Sequence, residues 1–181
     1  MSDASGTGID RPAPALGLPI VLIGPMGAGK SRVGARLAAS VGAPFVDTDS
    51  LIEARYGPID QIFAREGEEY FRVVERELVA EALREEAVVS LGGGSILHAD
   101  TRADLADLAV VWLKVSAEAV AARLAGGNRP LLAEGGIERW IAIQAERAPV
   151  YASLADLEID TSRRSVARLV DTITDHFGGT R

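Results

Sequence analysis

One short stretch holds residue types at a spacing that could do chemistry on phosphate. "GPMGAGKS", Gly24 to Ser31, fits the pattern Gly-x-x-x-x-Gly-Lys-Ser/Thr. The backbone N–H groups of such a loop can wrap phosphate oxygens, and a helix starting at its end adds the positive pole of its dipole. Lys30 supplies a mobile point charge for the β- and γ-phosphates, and the Ser31 hydroxyl is suited to Mg²⁺. The chain has only two lysines, Lys30 and Lys114. Lys30 falls where a compact ammonium serves better than a planar fork. Lys114 reads as a solvated residue on a strand.

A second stretch, "PFVDTDSL", sets Asp47 and Asp49 one residue apart after a short apolar run. The pair reads equally as helix caps or as working carboxylates. A kinase for a small alcohol needs such a carboxylate to orient the acceptor hydroxyl. Gly92, Gly93 and Gly94 form a glycine corner after an apolar run, where a ligand can approach bare backbone. Arg72 has Glu68 at i−4 and Glu75 at i+3, and Arg147 stands two residues before Pro149, near an expected helix end. On spacing alone either arginine reads as a surface charge or as an anion ligand. Gly126–Gly127 and Gly135–Gly136 bracket Arg129, as hinges would bracket the tip of a lid over ATP. From such a tip Arg129 would stabilise charge on the phosphates.

Composition removes other chemistries. The net charge of -7 argues against general binding to nucleic acid or to an anionic membrane. Cysteine is absent and there are two histidines, His98 and His176, so thiolate sites, zinc sites and Ser-His-Asp triads have little to draw on. "LPIVLIG" is too short to cross a bilayer. The first 17 residues have neither a signal-peptide nor a transit-peptide pattern and read as a flexible tail on a cytoplasmic protein. Neither lysine follows an asparagine, as guanine-specific switches require, and no apolar strand ends in Asp-Glu, as motor ATPases require. A small-molecule kinase remains.

The elements that must position these residues alternate between strand and helix. Strands are expected at 19–24, after Pro44, at "AVVSL", at 109–115 and at 157–161. Helices are expected after Lys30, from about Gly67 to Glu86, at "AEAVAARLA" and at 165–177. That order argues for an α/β fold, a parallel sheet with helices on both faces and ligands at the carboxyl ends of the strands. One domain is expected over 18–177, with a mobile lid at about 125–137 and a short tail at 178–181.

The motif set resembles the shikimate kinase family. It comprises "GPMGAGKSRVG", "DTD", "IFAREGEEYFRVVE", "SLGGG", "GGNRPLL", "ERAPVY" and "DTSRR", in that order. The resemblance runs from about Leu18 to about His176. It implies a three-layer P-loop kinase fold with a five-stranded parallel sheet in the order 2-3-1-4-5. It also implies ATP-dependent phosphorylation of the shikimate 3-hydroxyl, with Mg²⁺, on the pathway to chorismate and aromatic amino acids. Carried over by position, Asp49 would hold the ring hydroxyls, and Lys30, Asp49 and Arg129 would carry the catalysis. Arg72, Arg147 and the Gly92–Gly94 corner would take the shikimate carboxylate. Ser31 and Asp47 would stand on the Mg²⁺ side. Gly27, Ala28, Gly29, Lys30, Ser31, Arg32 and Arg129 would face ATP, with Arg164 by the adenine. Two departures stand out: Arg32 takes a position where the family usually has threonine, and the stretch between "GGN" and "RP" is short. Alternatives are another kinase of similar fold, such as a gluconate kinase, or a nucleotide-binding regulator without chemistry. Small-molecule substrates alone and a monomer are expected.

Overall fold

The apolar run that begins at Ile20 becomes the central strand, because parallel strands covered on both faces need continuous apolar sequence. The computed structural model describes residues 16–125 and 136–178. Five strands, β1 (Ile20–Ile23), β2 (Phe45–Asp47), β3 (Val88–Ser90), β4 (Ala109–Lys114) and β5 (Leu157–Asp160), form one sheet in the order β2-β3-β1-β4-β5. Every pairing is parallel, with Ile20 opposite Val88 on one side and Ala109 on the other. The expected topology and strand order both hold.

Side chains alternate across a strand, so the sheet has two apolar faces. Ile20, Leu22, Val111 and Leu113 face α1 (Lys30–Val41) and α7 (Val166–Gly178), meeting Val33, Leu37, Leu169 and Ile173. Val21, Ile23, Val89 and Trp112 face the opposite layer, meeting Val79 of α3 (Ile59–Ala82), Leu105 of α4 (Ala99–Leu105) and Tyr151 of α6 (Gly136–Leu154). A third cluster joins α2 (Thr48–Tyr56) to α3 through Ile52, Ile62, Phe71, Val74 and Leu78. Helix α5 (Ala117–Ala125) follows β4. The core reaches back to Leu16, inside the segment expected to be a tail.

Three elements differ from expectation. The helix expected from Gly67 is preceded by further helix from Ile59, and the two meet at Gly67, whose φ of 82° kinks the chain. A positive φ suits glycine, which has no Cβ to clash there. The segment before the kink is held by Ile62, which is buried. The same helix stops at Ala82, short of Glu86. Finally, Arg147 does not sit near a helix end, because α6 continues through Pro149 to Leu154. Pro149 removes one backbone donor there, a loss the helix absorbs because Tyr151 beyond it is fully buried. Residues 126–135, which include Arg129 and most of the expected lid, lie outside the described residues.

Candidate active site

The carboxyl ends of the strands open onto one edge of the sheet. β1 runs into the phosphate loop, β2 into Asp47 and Asp49, β3 into the glycine corner and β5 into Thr161. Between them lies a cavity of about 650 Å³. Its walls include Gly27, Gly29, Lys30, Ser31 and Arg32 on one side, and Asp49, Arg72, Gly92, Gly93, Gly94 and Arg147 on the other, with Asp47 between them. Ala28 is buried beneath the loop, and its carbonyl accepts from the Thr161 hydroxyl at 2.9 Å. Arg164 is exposed and does not line this cavity; it lines a separate groove with Arg168 and Asp171.

The phosphate loop is held through its carbonyls. Lys30 Nζ donates to the carbonyls of Gly24 at 2.8 Å and Pro25 at 3.1 Å. Trp140 Nε1 donates to Met26 O at 3.0 Å, and Arg123 to Gly27 O at 2.6 Å. Thr161 takes Ala28 O, and the N–H of Val33 takes Gly29 O at 3.0 Å. Every carbonyl from Gly24 to Gly29 is therefore engaged. The N–H groups of Gly27 and Gly29 have no hydrogen-bond partner among the described residues, which leaves them to an anion. Burial lowers the Lys30 ammonium to a pKa of about 8, against the pull of Asp49 and Asp47.

The two aspartates divide their work. Asp47 caps α2: one of its oxygens, Oδ1, accepts from the Ser50 N–H at 3.2 Å. Its other oxygen, Oδ2, accepts from the Ser31 hydroxyl at 2.6 Å. Asp49, the other candidate cap, lies in the first turn of the helix. Its carboxyl is raised to a pKa of about 6, first by burial and then by Asp47, with Lys30 pulling the other way. Thr48, fully buried between the two, donates to Ser90 O at 3.2 Å and accepts from Gly92 N–H at 3.0 Å. This one hydroxyl ties the aspartates to the glycine corner.

On the acceptor side, Arg72 Nη1 donates to Glu75 at 2.7 Å, and Arg72 Nη2 to Glu68 at 3.1 Å. Glu75 is buried and accepts a further hydrogen bond from the Ser95 hydroxyl at 2.9 Å. Arg72 is thereby fixed close against the corner. A Cβ on Gly94 would lie 2.7 Å from its Nη1, and one on Gly92 would lie 2.5 Å from Asp49 Oδ1. Only glycine permits both approaches. Arg147 reaches the same corner, its Nη1 3.7 Å from where a Cβ on Gly93 would stand. Phe63, Phe71 and Ile59 supply the apolar wall.

Sequence reasoning missed Thr48, Arg123, Trp140, Tyr151 and Thr161. Each acts through a backbone carbonyl or N–H, so none has a spacing pattern to betray it. A small polar residue at the carboxyl end of an expected strand, as at Thr161, was the one signal on offer. His98, expected in a loop, caps α4, accepting from Asp100 N–H at 3.2 Å. Lys114 is exposed and paired with Glu158 at 3.1 Å. No helix among the described residues is long and apolar enough to cross a membrane.

A phosphate loop opposite an acceptor pocket that holds a carboxylate and two guanidinium groups defines a P-loop kinase of small molecules. Comparison with known proteins narrows the class. The family model described as shikimate kinase matches residues 26–177. The chain is 46% identical over 166 residues to the shikimate kinase of Mycobacterium avium (strain 104), covering 88% of this chain and 93% of that one. It is likewise 46% identical over 156 residues to that of Thermobifida fusca (strain YX), covering 84% and 91%. The structure of shikimate kinase from Acinetobacter baumannii in complex with shikimate superposes with a TM-score of 0.83 at 35% identity, covering 91% and 96%. A gluconokinase from Sinorhizobium meliloti 1021 reaches 0.57 at 27%, covering 90% and 91%. The chain belongs to the shikimate kinase family.

Proposed function

We infer that the protein transfers the γ-phosphoryl group of ATP to the 3-hydroxyl of shikimate, giving shikimate 3-phosphate and ADP. One observation carries this reading beyond the family: the phosphate loop and a pocket with Asp49, Arg72 and Arg147 share a single cavity. Shikimate is a diol-bearing ring with a planar carboxylate. Guanidinium forks match such a carboxylate in two-bonded geometry, and an aspartate can accept from two neighbouring hydroxyls. Asp49 orients the attacking hydroxyl and accepts its proton, Arg72 and Arg147 hold the carboxylate, and Gly93 and Gly94 offer backbone N–H groups. Gly92 cannot offer its own, because Thr48 already takes it.

Lys30 and the loop N–H groups hold the nucleotide phosphates. Arg129 and Arg164 keep the roles the resemblance gives them, toward the phosphates and the adenine. Ser31 and Asp47 would hold a Mg²⁺ ion brought with ATP, and the chemistry it would supply there is neutralisation of phosphate charge. Ser31 and Asp47 suit it: they are hard oxygen donors, already joined at 2.6 Å at the end of the loop. In a phosphoryl transfer the protein contributes position and charge rather than covalent chemistry, and both are present here.

ADP release measured with ATP alone, with shikimate and with gluconate tests the reading. Release that depends on shikimate is expected. Release that gluconate supports equally, or that needs no acceptor, would overturn it.

A further inference from the structure

Tyr151 lies on α6, one helical turn beyond Arg147, and its ring is fully buried. It stacks on Trp112 of β4, with ring centroids 5.6 Å apart. Its hydroxyl donates to the carbonyl of Gly93 at 2.6 Å. The residue does not line the cavity. Nor does packing require the hydroxyl, since a phenylalanine ring would fill the same space against Trp112. A buried hydroxyl kept in that position calls for a reason.

We propose that Tyr151 is a positioning residue for the acceptor carboxylate: it fixes the Gly93–Gly94 peptide so that its N–H faces the cavity. The inference rests on the acceptor reading given above. A trans peptide is planar, and its C=O and N–H point in opposite directions. Pinning Gly93 O onto a buried hydroxyl therefore turns the Gly94 N–H away from the core, toward the side where Arg72 and Arg147 stand. Glycine makes the pin necessary, because two successive glycines have no side chains to hold the plane and can rotate at small cost. Arg147 lies beside the same hydroxyl, so one side chain registers both the arginine and the peptide. Burial raises the Tyr151 hydroxyl to a pKa of about 12, with Arg147 pulling against it, so it remains a donor throughout the working range. The corner is then clamped on both flanks, with Thr48 on the Gly92 N–H and Tyr151 on the Gly93 carbonyl.

Tyr151→Phe removes the hydroxyl and keeps the ring. Steady-state rates would be measured for wild type and variant with shikimate. Inhibition constants would be measured with the analogue whose carboxylate is reduced to a primary alcohol. Removing one such hydrogen bond corresponds to roughly a five- to ten-fold effect. A rise of that size in the KM for shikimate is expected, with kcat and the KM for ATP held within about two-fold. The alcohol should bind both proteins equally, since it has no carboxylate for the oriented N–H to meet. Equal weakening for shikimate and the alcohol would mean a general loss of packing and overturn the proposal, as would an unchanged KM for shikimate. Wild type that releases no ADP in response to shikimate would instead defeat the acceptor reading itself.

Discussion

The two halves of the cavity are built in opposite ways. The phosphate side comes from one continuous stretch, Gly24 to Ser31, on a single strand, loop and helix, with Arg123, Trp140 and Thr161 tethering its carbonyls from outside. The acceptor side is assembled from α2, α3, the loop after β3 and α6, which are far apart in the chain. The first is a local motif that any tertiary setting must preserve. The second exists only once the sheet is formed. Phosphate binding should therefore tolerate changes in the acceptor wall, while acceptor binding should depend on many separate tethers.

Asp49→Asn gives the sharpest break between the halves. It removes the proton acceptor and should lower kcat roughly 10²- to 10⁴-fold, with ATP affinity, read by nucleotide titration, unchanged. It should also stabilise the fold. The native carboxyl has a pKa of about 6, above its usual 3.8, so its ionisation opposes folding as pH rises through that window. The asparagine variant should be more stable near neutral pH, by an amount that solvent screening at this exposed position keeps small, with the gain gone below about pH 4, as denaturant titrations at the two pH values would show. Near-normal turnover would remove Asp49 from the chemistry.

Next in size are the arginines. Arg72→Ala and Arg147→Ala each remove a charged donor to the carboxylate. Each should lower kcat/KM for shikimate by about 2–3 kcal/mol, roughly 30- to 150-fold, and leave the KM for ATP in place. A parallel loss in ATP affinity would show that the two halves are not independent.

The pH profile combines the halves in one measurement. Asp49 must be ionised and Lys30 protonated, so kcat/KM should rise through about pH 6 and fall beyond about pH 8. One unit outside either limit the rate should be about ten-fold down. Asp49→Asn should abolish the acid limb and leave an alkaline one moved to lower pH, because the Asp49 charge no longer supports the Lys30 ammonium.

The same division explains what could be read from the sequence. The sheet was legible because its strands are continuous apolar runs between helical periods, and the loop because its residues are contiguous. Asp47 and Asp49 were legible as a pair, but which of them caps depended on whether Asp47 took the Ser50 N–H or Asp49 took one two or three residues further on. Arg72 and Arg147 were indistinguishable from surface charges until the resemblance weighed in, because helical spacing reports only neighbours in the same helix. Of helix α6 only an end near Arg147 was foreseen. Pro149 argues for a break in its sequence, and the burial of Tyr151 that overrides it is a tertiary fact.

The smallest expected effect concerns the tethers of the phosphate loop. Arg123 is exposed, yet it bridges two strand ends, donating to Gly27 O and to Thr161 O, each at 2.6 Å. Arg123→Gln shortens the side chain and removes its charge, so the Gly27 carbonyl is free to turn toward the nucleotide. A carbonyl facing phosphate repels it, whereas one held by Arg123 does not. Loss of one charge-assisted hydrogen bond at an exposed position should raise the KM for ATP roughly five-fold. The KM for shikimate should stay within about two-fold, because no acceptor ligand hangs on this tether. Trp140→Phe, which frees the neighbouring Met26 carbonyl, should act in the same direction. A shift in the shikimate KM in either variant would mean that the loop and the glycine corner move together, and the contrast between a local and an assembled half would have to be abandoned.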